Sequence, residues 1–131
     1  MTQDEAGVIT KLSPLPVAGT VAKLTGLLSA KGVRLFAVID QSAEARQAGL
    51  RLRETTLVIF GSPVAGTPVM AASPLAALDL PLKVLVWDDG GQTKVTYYSP
   101  AALAARYRLG ADLAGNLAAI NVLTDALVAS S

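Results

Sequence analysis

Five side chains in this sequence have the type and setting to touch a ligand: Asp40, Arg53, Ser62, Thr67 and Lys83. Asp40 closes an apolar strand pattern. There its carboxylate can accept hydrogen bonds from a ligand, although capping the next helix is the ordinary role for Asp at such a position. Arg53 precedes Thr55-Thr56 and carries a planar fork suited to a carboxylate or phosphate; a solvated strand end is the plainer reading. Ser62 and Thr67 offer hydroxyls beside Gly61 and Gly66, yet turn hydroxyls usually bond their own loop. Lys83 opens an apolar strand, where its amine can pair with Asp40 or Asp79, reach an anion, or sit in water above a buried stem. No residue is assigned a catalytic role. The chain has no Cys and no His, which excludes thiolate and imidazole chemistry and zinc–thiolate sites. No cofactor is expected. A metal site would have to be all-oxygen, and the turn residues Asp88 and Asp89 do not suggest one. Trp87, Tyr97 and Tyr98 are aromatic strand residues, which are core or interface more often than ligand platforms.

The elements that must carry these residues are organised around Thr55 to Pro68. Leu57-Val58-Ile59-Phe60 is an unbroken apolar run, which predicts a strand covered on both faces. Gly61, Pro63, Gly66 and Pro68 then predict a loop with room for at most one helical turn. Gly61 and Gly66 stand five apart after a strand, as in a phosphate-cradling loop, but Thr67-Pro68 occupy the place of the lysine such a loop needs. Upstream, Gly7 to Leu12 reads as a strand. Val17, Val21, Leu24 and Leu28 form one helical face with Thr20 off it, and Gly32 stops the helix. Val33 to Asp40 is the second strand and Gln41 to Gly49 a short helix. Downstream, Leu82 to Trp87 and Thr93 to Tyr98 flank Asp88-Asp89-Gly90-Gly91, a hairpin in which Tyr97 and Tyr98 point to opposite faces. Ser99-Pro100 opens a short helix. A final helix runs from Ala111 to about Ala129, with Leu113, Leu117, Ile120, Thr124, Leu127 and Val128 on one side and Gly115, Ala118, Ala119 and Val122 on the other.

These elements predict a single α+β domain over residues 1–131. Its sheet is mostly antiparallel, with about five strands and two main helices packed on one face. Hydrophobic residues make up 52% of the 131 and charged residues only 16%, below the usual quarter. The sheet's second face must then be hidden by the loop from Ser62 to Leu80 or by a second subunit, so a homodimer is expected. Eleven Lys and Arg against 10 Asp and Glu give a net charge of +1, which predicts no nucleic-acid partner. Met1 to Gly7 lacks a leader pattern, and no apolar run approaches the length of a membrane span. A soluble, cytoplasmic protein without a membrane partner is the expectation.

The set Phe36-Ala37-Val38-Ile39-Asp40, Ala48-Gly49-Leu50 with Leu52-Arg53, Thr55 to Pro63, Ala65-Gly66-Thr67-Pro68-Val69-Met70, and Asp79-Leu80-Pro81-Leu82-Lys83 resembles the family called domain of unknown function 302, from about Gly7 to Tyr107. The resemblance implies a small α+β fold of the TATA-binding-protein-like kind (strand, helix, four strands, helix), often dimeric, with no established activity. Gln41, Ser62 and Glu54 stand where members often have His, Asn and Pro, so any chemistry resting on that His or Asn is absent or altered here.

The expected function is that of a homodimeric, non-enzymatic module binding a small molecule or protein between the sheet and the 61–68 loop. Two alternatives remain. One is an unusual enzyme using Asp40, Lys83 and a tyrosine with pKa values shifted by burial. The other is a purely structural assembly protein whose final helix is the contact surface.

Overall fold

Alternating apolar strands need one layer of helices to bury a single face, and this chain supplies it. The computed structural model describes residues 2, 3 and 7–130. Most of the polar start read as lacking a leader lies outside them. In chain order the elements are β1 (Thr2–Gln3), β2 (Val8–Ser13), α1 (Val17–Ala30), β3 (Arg34–Asp40), α2 (Gln41–Gln47), β4 (Thr55–Gly61), α3 (Pro63–Ala72), a 3-10 turn (Pro74–Asp79), β5 (Leu82–Asp89), β6 (Gln92–Tyr98), α4 (Pro100–Arg106), α5 (Ala111–Leu117) and α6 (Ala119–Val128). The six strands are ordered β1-β2-β6-β5-β4-β3, and every neighbouring pair is antiparallel. The α+β expectation holds, with the two-residue β1 as an addition. Following the pairings across the sheet makes β2 and β3 mutually parallel. Such a connection needs a crossover, and α1 is that crossover.

One sheet face carries Ile9, Val58, Phe60, Val84, Val86, Val95 and Tyr97, packed against Val17, Leu24 and Leu28 of α1 and Ile120, Leu123 and Leu127 of α6. Thr20, expected off the α1 face, is fully buried. Its hydroxyl bonds Ser13 Oγ at 2.7 Å and the carbonyls of Leu15 and Pro16, so its polarity is satisfied locally and its methyl joins the core. Lys11 is buried too. Its amine donates to Thr124 Oγ1 at 2.6 Å and lies 2.7 Å from Asp125 Oδ1, tying β2 to α6.

Several expectations are corrected. β4 is not equally covered on both faces: Thr56, Val58 and Phe60 are buried, while Leu57 and Ile59 are only half-buried. The stretch after Gly61 is not a loop but the ten-residue helix α3. Pro63 sits in its first turn, where its missing donor costs nothing. Pro68 removes one bond, to the carbonyl of Val64, and Val64 lies out in water, which can hydrate that oxygen. Consequently the Ser62–Leu80 segment does not cover the sheet's second face. It packs beyond the strand ends, where Val69 and Ala76 meet Leu103 of α4 and Leu117 of α5. The final helix, in turn, breaks at Ala118. Ala118 N–H reaches back to Gly115 O and Asn121 N–H to Ala118 O, a tighter winding that sends Leu117 into this satellite core and Ile120 into the main one. The expectation about spans is also amended: Ala111–Val128 is 18 residues long and apolar enough, by length and composition, to cross a membrane.

Candidate functional site

The end of β4 and the start of β5 border a cleft together with α3 and α5. β4 ends at Gly61, and β5 begins after Pro81. An added methyl at Gly61 would stand 3.4 Å from Pro81 Cβ and 3.6 Å from Phe36 Cε2, so the missing side chain is part of the hollow. Around it Phe36, Ala65, Met70, Leu80, Leu82 and Leu117 line a cleft of about 190 Å³. Its polar contributors are Ser62, Thr67 and Asn116. Asn116 Nδ2 donates to the Ala65 carbonyl at 3.1 Å, which pins α5 to α3 and closes one wall. Among the described residues no ionisable side chain lines this cleft. It can hold a compact, uncharged molecule by contact area and at most one or two hydrogen bonds.

The side chains singled out from the sequence divide between the two ends of the sheet. Ser62 and Thr67 are exposed at the cleft mouth, and the Ser62 hydroxyl makes no capping bond to α3. Lys83 lies one residue beyond the cleft wall at Leu82 and faces the open side of the sheet, in a groove of about 310 Å³ with Val8, Leu57, Leu85, Thr96 and Tyr98. Its amine donates to the carbonyls of Pro81 at 3.0 Å and Asp79 at 3.4 Å. Burial lowers its pKa, and the nearby Asp79 charge opposes that shift. Asp40 and Arg53 stand at the far end. Asp40 caps α2: its Oδ1 accepts from Ser42 Oγ at 2.6 Å and Ala43 N at 2.9 Å. The Ser42 and Ala43 bonds hold its pKa below the usual carboxylate value. Among the described residues Arg53 reaches only Asp89, at 3.7 Å. Asp40 pairs across the sheet with the buried Thr56, whereas Lys83 pairs with Ile59 on the opposite face. The pair imagined for an enzyme is therefore not assembled.

The aromatic residues separate as expected. Tyr97 is buried with its hydroxyl donating to Asn121 Oδ1 at 2.7 Å, and Tyr98 is exposed. Trp87 lies on the open face, donates from Nε1 to Thr96 Oγ1 at 3.0 Å, and has Lys94 Nζ 5.5 Å from its ring centroid.

A polar cluster that the sequence reading did not foresee borders the cleft. Tyr107 donates its hydroxyl proton to Asp79 Oδ2, which also accepts from Arg106 Nη1 at 3.1 Å. The tyrosine bond first, then Arg106, holds the Asp79 pKa down, and the same bond to Asp79 raises that of Tyr107. Asn116 was missed as well. Its signal was a lone amide between Leu113 and Leu117 in an otherwise apolar stripe, a position that polar residues occupy when they have a partner to bond.

A family model described as "Domain of unknown function DUF302" matches residues 9–127. The chain belongs to the DUF302 family. A crystal structure of an uncharacterized conserved DUF302 protein from Bacillus stearothermophilus superposes with a TM-score of 0.78 at 19% identity, covering 93% of this chain and 95% of that one. At that identity the likeness speaks for the fold alone. Two Brucella proteins are similar over 107 residues at 38% identity: "Fluoride-specific ion channel FluC 1" of Brucella suis biovar 1 (strain 1330) and "Fluoride-specific ion channel FluC 2" of Brucella melitensis biotype 1. The match takes in 81% of this DUF302 chain but 42% and 40% of those proteins. The chain thus spans about two fifths of the length of these relatives, and ion conduction is stated of the whole of each.

Proposed function

We propose that this DUF302 domain is a homodimeric binding module that takes a small, uncharged, largely apolar molecule in the cleft between Phe36, α3 and the Leu80–Leu82 segment. The observation that carries the reading is the cleft itself, with apolar walls, a glycine floor and, among the described residues, no ionisable side chain. Such a lining favours binding over catalysis, because acid–base and nucleophilic steps need a titratable group within reach of the reacting atoms. The Brucella proteins join a stretch 38% identical to this chain to a larger stretch outside the match, which fits a module that serves other machinery.

The test is a thermal-shift titration with indole, a compact neutral aromatic, against the wild-type chain and Ala65→Trp, which fills the cleft with its own ring. The wild type should gain stability in proportion to ln(1 + [L]/Kd), and Ala65→Trp should gain none. Equal shifts in both proteins would place binding elsewhere and reject the cleft.

A further inference from the structure

The sheet comes apart at one place. β5 and β6 pair from Asp89 and Gln92 back to Leu85 and Thr96, and there their shared register ends. Beyond it β5 stays with β4 as far as the Phe60–Leu82 pair, while β6 stays with β2 as far as the Val8–Tyr98 pair. The two halves of the sheet therefore fork, with Lys83 on one prong and Tyr98 on the other. Strand alternation sends Leu57, Leu85, Thr96, Tyr98 and Val8 to the open face around this fork. With Lys83 they line the groove described above.

The groove combines an apolar floor with one unmatched cation. An ammonium has three protons to give. The Lys83 amine gives two, to the carbonyls of Pro81 and Asp79, and the third has no acceptor among the described residues. Lys83 makes no ion pair among them either. The nearest carboxylate, that of Asp79, is committed to Tyr107 and Arg106. Burial already works against the charged amine, so an anion brought to it relieves a cost that the fold now bears. Arg106, 5.8 Å from the Tyr98 ring centroid, adds positive charge beside the other prong. The Thr96 hydroxyl is occupied, bonded to Trp87 Nε1 at 3.0 Å and to Thr10 Oγ1 at 2.9 Å, which leaves Lys83 as the polar anchor.

We infer that the fork between β5 and β6 binds a small organic monocarboxylate, its carboxylate on the Lys83 amine and its apolar body on Val8, Leu57 and Leu85. One spare proton on one cation answers a single negative charge. A dianion such as a phosphate monoester would bring a second charge onto leucine and valine surface, where the groove has nothing to pair it. This site goes beyond the cleft reading and does not rest on it. Leu82 lines the cleft and Lys83 lines the groove, so one strand start separates a neutral hollow from an anion site.

The test compares benzoate with benzyl alcohol, its neutral near-isostere, by calorimetric titration of the whole chain. The wild type should hold benzoate roughly tenfold more tightly, the worth of one charge-assisted hydrogen bond. Lys83→Met keeps an apolar stem on β5 and should erase that preference. Ala65→Trp, which fills the cleft, should bind benzoate as the wild type does. In wild-type methyl NMR, which needs no variant to fold, benzoate should move the Leu57, Leu85 and Val8 signals and leave Met70 of the cleft in place. Equal affinity for the two probes, or a benzoate preference that survives Lys83→Met, would overturn the proposal. So would a benzoate response lost in Ala65→Trp or centred on Met70, which would put the anion in the cleft. The two sites fail separately: indole that does not bind the wild type sinks the cleft reading and leaves the benzoate result untouched.

Discussion

The two faces of the DUF302 sheet solve the same problem in different ways. On one, α1 and α6 bring Leu24, Leu28, Ile120, Leu123 and Leu127 onto Val58, Val84, Val86 and Val95, and nearly everything there is withdrawn from water. On the other, Leu57, Ile59, Leu85 and Trp87 have no helix over them among the described residues and stay half-buried. Long cations do part of the covering. Lys94 lies over Trp87 while pairing with Asp89 at 2.6 Å, and Arg106 lies 5.8 Å from the Tyr98 ring centroid while bonded to Asp79. Stems of this kind cover apolar surface and leave the charge in water. The difference teaches that a strand apolar on both faces does not by itself demand a second layer of helices.

The contrast can be broken most sharply by equal truncations on the two sides. Leu24→Ala removes a fully buried side chain wedged between α1 and the sheet and should cost about 2–5 kcal/mol in urea unfolding. Leu85→Ala, on the half-wet face, should cost about 1 kcal/mol or less, because most of the lost contact is replaced by water rather than by a void. Equal losses would mean that the open face is packed as tightly as the covered one.

The smallest effect expected is electrostatic. Asp79 is held below its ordinary pKa chiefly by the Tyr107 hydroxyl. A carboxylate with a depressed folded-state pKa contributes stability that is present above its unfolded value and lost as pH falls through the folded one. Tyr107→Phe should therefore lower the melting temperature at neutral pH, and the gap to the wild type should close in acid, below the usual carboxylate range. The Tyr107 hydroxyl, raised by the same bond, adds the opposite limb: its contribution is full below the ordinary tyrosine pKa and fades as pH rises through the raised value. A gap that stays constant from acid to neutral pH would assign the Tyr107 effect to packing instead.

Much of the fold was legible in the residues. The periodicity of Val17, Leu24 and Leu28 gave α1, Asp88-Asp89-Gly90-Gly91 gave the hairpin, and the order of elements gave the architecture, because those signals are local. The 61–72 segment was misread because two prolines and two glycines outweighed its position. Pro63 in a first turn favours a helix, and Pro68 loses only a bond that water can replace. The break at Ala118 left no such mark, since neither proline nor a charge stands there; it is set by where Leu117 and Ile120 find their separate cores. For the site, Ser62 and Thr67 fell at the cleft mouth beside Gly61. Phe36, Met70 and Asn116 come to it from distant stretches of chain, a convergence that no spacing in the sequence encodes. Lys11 was overlooked for a similar reason: its ligands, Thr124 and Asp125, lie at the other end of the chain.

Whether the second sheet face stays open is read most directly by the single tryptophan of the chain, Trp87. Acrylamide quenching of its fluorescence, followed from nanomolar to high micromolar protein, should give one unchanged quenching constant, and Lys94→Ala should raise that constant by uncovering the ring. A constant that falls with protein concentration would mean that a second copy covers this face, and it would contradict the self-shielded surface described above.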